Sequence, residues 1–345
     1  MPKLSRSRSN KSKPKSKPKS KPKSKPKTKP KTKPKTKSKS KPKTSKKNKQ
    51  YCSPSLESGT RHKTCFSKRG LTKIAKAWNK KNPNDSITIS KSKSNDKLWD
   101  NINEKMRSKC DKEYCWIQEA FESNPEDDPD LDVFKPLAPK EWFTNNNEWL
   151  NSLDIQNIMF QYEDKYPDFR FIGPVPIDFD TRSASGCIVD ELCKLKISEL
   201  LNDNIRKLGV IFNLDKHNQS GSHWIAMFCN IDNQEICFWD SYGSKPPEEV
   251  TVLMERLSQQ SNDVLKQNFK IKINDVRHQY KGSECGVYCL HFIIRLLEGK
   301  SFDFITKNII DDDKMWLNRK KYFIWDETKG KKTKKIKKPE TYQFF

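Results

Sequence analysis

Two apolar runs, Trp224–Asn230 and Glu235–Asp240, flank the turn-like Ile231-Asp232-Asn233-Gln234. Runs of this length, rich in aromatic and branched residues and separated by a short polar turn, read as an antiparallel hairpin. Leu208–Leu214 reads as a further strand before them, and Lys270–Ile273 alternates as a strand after them. Phe169–Pro176 reads as extended chain. Helical periodicity fills the intervals: Trp142–Tyr166 with a cap at Asn151 or Ser152, Gly186–Leu201, Glu248–Phe269, and the stretch that begins at Cys285. The pattern predicts an α+β body, a central mixed sheet with surrounding helices.

The hairpin has a chemical consequence. His223 stands at the start of its first strand and Asp240 ends its second, so both fall at one edge of the sheet. A carboxylate on one ring nitrogen would fix the imidazole tautomer and stabilise the imidazolium. Cys285 follows the Gly/Ser-containing turn Lys281-Gly282-Ser283-Glu284, and Val287, Leu290, Ile294 and Leu297 then share one helix face. A thiol at a helix N-terminus meets unpaired N–H groups and the positive end of the helix dipole, which favour the thiolate. Gln279 is a candidate oxyanion donor, with the Cys285 backbone N–H as the second. Taken singly, Cys285 reads more readily as a structural cysteine, and His223 and Asp240 as a surface histidine and a turn aspartate. Among the other histidines, His62 and His217 fall outside this constellation, His278 lies within the Cys285 segment, and His291 sits on the Cys285 helix facing away.

Together, Ser222-His223-Trp224-Ile225, Phe238-Trp239-Asp240-Ser241 and Gln279-Tyr280-Lys281-Gly282-Ser283-Glu284-Cys285-Gly286-Val287-Tyr288 resemble the SUMO-protease and adenovirus-protease superfamily of cysteine peptidases. The resemblance spans about residues 137–325, and no essential position departs from it. It implies the papain-like fold of ubiquitin-like-protein proteases, with Cys285 as nucleophile, His223 as general base, Asp240 orienting His223, and Gln279 in the oxyanion hole. Trp224 looks like the residue that narrows the cleft, so that family substrates end in small pairs such as Gly-Gly. The layout is similar to the maturation proteases of large DNA viruses, which cut structural polyproteins during particle assembly. It implies a virion protein, found also in the host cytoplasm and not secreted. An isopeptidase acting on SUMO or another ubiquitin-like modifier is the alternative. A basic core protein on a retained protease scaffold is a third reading, disfavoured by the intact set of four residues.

The formal net charge of +25 is unevenly placed. Residues 1–50 hold 23 Lys or Arg and no acidic residue, with lysine at every odd position from Lys11 to Lys43. Such a segment has almost no apolar surface to bury and repels itself, which predicts a disordered arm that binds nucleic acid without sequence preference. A further seven lysines lie in 329–338, leaving 51–328 at a net −4. The expected organisation is the arm at 1–50, a small helical module at 51–125, a linker at 126–136, the peptidase domain at 137–328 and a basic tail at 329–345. In the module, Leu71–Trp78 and Asp96–Tyr114 read as helices. Cys52, Cys65, Cys110 and Cys115 lack the close pair of a zinc site, so they are expected as ordinary buried thiols in a reducing compartment, with no metal. No cofactor, no membrane partner and a monomer are expected, with a polyprotein or ubiquitin-like conjugate as the protein substrate.

Overall fold

A computed structural model describes residues 51–56, 64–89, 95–121, 133–183 and 186–326. The arm at 1–50, the tail from 329 onward, His62 and residues 122–132 lie outside the described residues. In the module, α1 (Lys68–Lys81), α2 (Asn95–Met106) and α3 (Glu113–Ala120) pack on a common core that includes Leu71, Ile74, Trp78, Leu98, Ile102 and Trp116. Ser67 caps α1 by accepting from the Gly70 N–H, and α1 ends at Asn82 before Pro83, as expected of a residue that cannot continue a helix. The single helix expected over Asp96–Tyr114 is instead two. The run Arg107–Lys112 offers no apolar residue at helical spacing except Cys110, and the backbone turns there.

The cysteines correct a second expectation. Cys52 pairs with Cys65 as a disulfide, in place of two free thiols, and Cys110 stands against Cys115 and Cys187 against Cys193. Their Cα atoms lie 5.3, 6.2 and 6.3 Å apart, within disulfide reach. Cys229, Cys237, Cys285 and Cys289 are free.

The body runs α4 (Ser152–Lys165), β1 (Phe169–Pro176), the ribbon β2 (Arg182–Ser183) and β3 (Gly186–Cys187), α5 (Asp190–Cys193), α6 (Ile197–Asn202), β4 (Lys207–Asn213), β5 (Trp224–Asn230), β6 (Glu235–Trp239), α7 (Glu248–Leu265), β7 (Lys270–Ile273), α8 (Cys285–Leu297), α9 (Phe302–Lys307) and α10 (Asp312–Tyr322). Asn151 caps α4 in a reciprocal capping box with Asp154. The expected start at Trp142 fails because Asn145 uses its side chain on the Asn147 N–H and on Glu148, competing with helical bonding. The expected helix over 186–201 is broken into β3, α5 and α6, with Lys194–Lys196 forming the break.

Five strands form one mixed sheet in the order β1-β4-β5-β6-β7. The outer pairs β1/β4 and β6/β7 are parallel, and the inner pairs are antiparallel. Alternate side chains face opposite sides. From β5, Trp224, Ala226 and Phe228 enter the core shared with α4 and α8, while Ile225, Met227 and Cys229 enter the core shared with α6 and α7. Both faces are covered, which is why the strand reads as an unbroken apolar run. Helix α8 is buried along nearly its whole length, held between the sheet and α4, α9 and α10. Burying each large apolar side chain of this kind contributes about 1.5–3 kcal/mol, so the helix that carries Cys285 is fixed in place. No helix among the described residues is long and apolar enough to cross a membrane.

Candidate active site

The hairpin pairs Ala226 with Trp239, leaving His223 and Asp240 just beyond the paired stretch on neighbouring strands. There His223 Nε2 meets Asp240 Oδ1 at 2.7 Å, with both residues buried. Cys285, the first residue of α8, is near enough to His223 to act on its charge, and the ring nitrogen Nδ1 is not used by Asp240. Burial disfavours the imidazolium, but the bonds and charges of Asp240 and Cys285 outweigh it and raise His223 to about 9. Burial likewise opposes the Asp240 carboxylate, yet bonds from His223 and from the Tyr242 N–H, at 2.9 Å, hold it below the usual carboxylate range. The Tyr242 ring stacks on the imidazole with centroids 4.6 Å apart.

Gln279 is fully buried beside them. Its Oε1 accepts from the Ser241 hydroxyl at 2.6 Å, and its Nε2 donates to the Lys281 carbonyl at 2.6 Å, which leaves a second Nε2–H uncommitted. The N–H groups of His278 and Gln279 both donate to the Ser241 carbonyl. Asn274 Nδ2 donates to the carbonyls of Asp240 and Val276. Gly243, at φ +75, lets the turn after β6 lie against this segment, since a Cβ there would come within 2.9 Å of Val276 C. The turn after β6 and the chain leading to Cys285 are thus one hydrogen-bonded unit. Sequence reasoning brought His223, Asp240, Gln279 and Cys285 to one place. It missed Asn274 and Tyr242, and it missed Ser241 as the residue that fixes Gln279, although Ser241 lies within the quoted motif.

Trp224 lies against the helix start, its Nε1 donating to the Leu150 carbonyl at 3.0 Å. A groove of about 570 Å³ opens on it, walled by Trp149, Leu150, Pro174, Val189 and Gly221. A cavity of about 660 Å³ on the other side of α8 is lined by Tyr162, His291 and Arg295. There burial and the charges of Arg295 and Lys321 push His291 down to about 3. The other described histidines are engaged elsewhere: His217 Nδ1 with Asp178 at 2.6 Å, and His278 Nε2 with the Thr306 carbonyl. Among the described residues, no group of three or more His, Cys, Asp or Glu side chains is placed to hold a metal ion.

Residues 202–328 match the model of the Ulp1 protease family, C-terminal catalytic domain. A thiol protease of Acanthamoeba polyphaga mimivirus is 33% identical over 280 residues, covering 75% of this chain and 89% of its own. The SUMO-1 cysteine protease of African swine fever virus, isolate Warthog, is 29% identical over 222 residues, covering 59% of this chain and 80% of its own. The crystal structure of the African swine fever virus protease superposes with a TM-score of 0.52 at 21% identity, over 80% of this chain and 96% of that one, which is a likeness of fold. The chain belongs to the Ulp1 protease family and is a cysteine peptidase.

Proposed function

We propose that Cys285 is the nucleophile, His223 the general base, Asp240 the residue that orients and charges His223, and Gln279 a donor to the oxyanion. The single observation that carries this is buried His223, bonded to Asp240 through Nε2 and raised in pKa by both Asp240 and Cys285. With the thiol proton held on His223 as imidazolium, the thiolate attacks the scissile carbonyl. The oxyanion that forms accepts from the free Nε2–H of Gln279 and from the Cys285 backbone N–H, which as the first in α8 has no partner within the helix. His223 then gives its proton to the departing amine, leaving a thioester on Cys285. A water, deprotonated by His223, attacks the thioester, the carboxylic acid leaves, and the thiol is restored.

Trp224, which packs so close to Gly286 that a Cβ there would stand 3.2 Å from its ring, suits a substrate with small residues before the cut, of the Gly-Gly or Gly-x-Gly type. The likeness to a mimivirus and an African swine fever virus protease supports a viral setting; the substrate in this reading is a viral structural polyprotein, cleaved during particle assembly in the virion and the viral factory. In this reading the enzyme works as a monomer and residues 1–50 hold it on nucleic acid. A second reading is an isopeptidase that removes a ubiquitin-like modifier, favoured by the name of the African swine fever virus relative. Gly-Gly and Gly-x-Gly peptides, tested beside SUMO and ubiquitin conjugates, separate the two. Efficient cleavage of Gly-x-Gly peptides with intact conjugates supports the first, and preferred deconjugation sinks it.

A further inference from the structure

Arg319 lies on α10, far along the chain from Cys285, yet its side chain is fully buried and reaches the residue beside it. Nε donates to Glu284 Oε2 at 2.9 Å and Nη2 to Glu284 Oε1 at 2.8 Å, a bidentate fork. Nη2 also donates to the Glu148 carbonyl at 2.7 Å and to the Ser283 carbonyl at 3.4 Å. The guanidinium lies over the Trp142 ring, 4.5 Å from its centroid. Glu284 immediately precedes α8 but gives the helix no side-chain cap. On the other side, Glu148, Trp149 and Leu150 wall the groove, and Leu150 anchors the Trp224 indole. One guanidinium therefore ties the turn from which Cys285 rises to the wall that carries Trp224.

Stability alone does not account for this arrangement. A buried ion pair is weak evidence of stabilisation, because desolvation offsets much of the attraction and apolar replacements often do as well. Arg319 Nη1 is moreover buried without a hydrogen-bond partner among the described residues, which costs free energy. Other charged groups around the pair and the thiol are accounted for. Asp154, pushed up to about 6 by burial, feels the Arg319 charge from α4, with Glu141 beyond it. Tyr288 feels the Glu284 charge, and His223, Tyr242 and Cys289 interact electrostatically with Cys285.

We propose that Arg319 is a positioning residue for the reaction: by locking the Ser283–Glu284 turn to the groove wall, it sets where Cys285 stands relative to His223. The proposal rests on Cys285 being the nucleophile. The test uses the full chain as wild type, R319K, R319M, the double variant E284Q/R319M, and C285A. It reads kcat and KM on a short Gly-Gly peptide, Tm, and the pH dependence of Cys285 alkylation by iodoacetamide. Lysine keeps the charge opposite Glu284 but cannot grip both carboxylate oxygens and two carbonyls. R319K is therefore expected to stay folded, to keep the wild-type pH dependence of alkylation, and to lose about 10²-fold in kcat, as a displaced reacting group does. R319M leaves the Glu284 carboxylate uncompensated, so alkylation at neutral pH slows at least about tenfold. E284Q/R319M restores the alkylation profile without restoring kcat. A folded R319K with wild-type kcat, or variants that differ from wild type only in Tm, overturns the proposal. Turnover that survives in C285A overturns the nucleophile assignment itself, whereas loss in C285A with full kcat in R319K removes only the role of Arg319.

Discussion

Gly286 and Trp224 meet across the entrance to the site: a Cβ on Gly286 would stand 3.2 Å from Trp224 Cδ1 and 3.1 Å from Leu150 Cβ. Neither neighbour retreats easily, because the Trp224 indole is tied to the Leu150 carbonyl. Gly286→Ala is expected to fold with a stability loss of about 1–3 kcal/mol from overpacking. It should also lose roughly tenfold or more in kcat/KM on a Gly-Gly peptide, because the indole is pushed from its place. Melting curves and steady-state kinetics check both, and wild-type kinetics in a destabilised variant would separate the contact from the cleft.

Replacing Cys285 with alanine should reduce peptide cleavage by at least ~10³-fold while leaving the melting curve intact. The other free thiols are poor competitors for an alkylating agent. Burial pushes Cys237 up to about 12 and holds Cys289 and Cys229 well above the ordinary thiol range. Peptide mapping after brief iodoacetamide treatment should find Cys285 labelled first, and earlier labelling of Cys289 would contradict the assignment.

The pH profile follows from His223. Its folded-state value is raised to about 9, so the imidazolium, the proposed donor to the leaving amine, is present below that pH and lost as pH rises through it. An alkaline limb of kcat/KM near pH 9 is expected. Asp240→Asn keeps an acceptor for Nε2–H but removes the charge, so the limb should move down by about one unit. The rate should fall less than in His223→Ala. A limb unmoved between pH 6 and 9 removes Asp240 from the site.

Deleting residues 1–50 removes 23 basic residues and no acidic ones. The truncated chain should lose retention on duplex DNA while keeping kcat/KM on a neutral peptide. For the full chain, DNA binding should weaken by roughly orders of magnitude between low and moderate salt, since each neutralised phosphate releases counterions. Equal retention by the two chains, measured by filter binding, would refute tethering. Lost peptide hydrolysis would assign the arm to activation instead.

The parts of the site that were legible in the sequence are those set by local rules. A four-residue turn between two apolar runs brings the hairpin's far ends together, so His223 and Asp240 meet. A Gly/Ser turn before an apolar helix puts Cys285 at its first residue. What stayed hidden depends on distant partners. Arg319 sits in the polar run Asp312–Tyr322, where nothing in the spacing says that one of several basic residues turns inward. Asn274 reads as an ordinary loop residue until the turn after β6 folds against it. Cysteine partners cannot be read from spacing alone, which is why the pairing of Cys52 with Cys65 was missed. The break at 194–196 is too short to interrupt an apolar periodicity visibly, whereas the one at 107–112 was legible in its lack of apolar residues.

Ile324 belongs to the core of the amino-terminal module. It bridges Leu137, its N–H donates to the Pro136 carbonyl, and its own carbonyl accepts from Ala138. Two residues on, Asp326 accepts from the Tyr114 hydroxyl at 2.6 Å, across a sequence separation of 212. Synthesis runs in the opposite sense to this dependence. Helices α1–α3 leave the ribosome early, but the residue that completes their apolar face is made after the whole peptidase body. Such long-range closure is slow and leaves apolar surface exposed in the interval. The module of α1–α3 therefore finishes folding only after the peptidase body that follows it has been made.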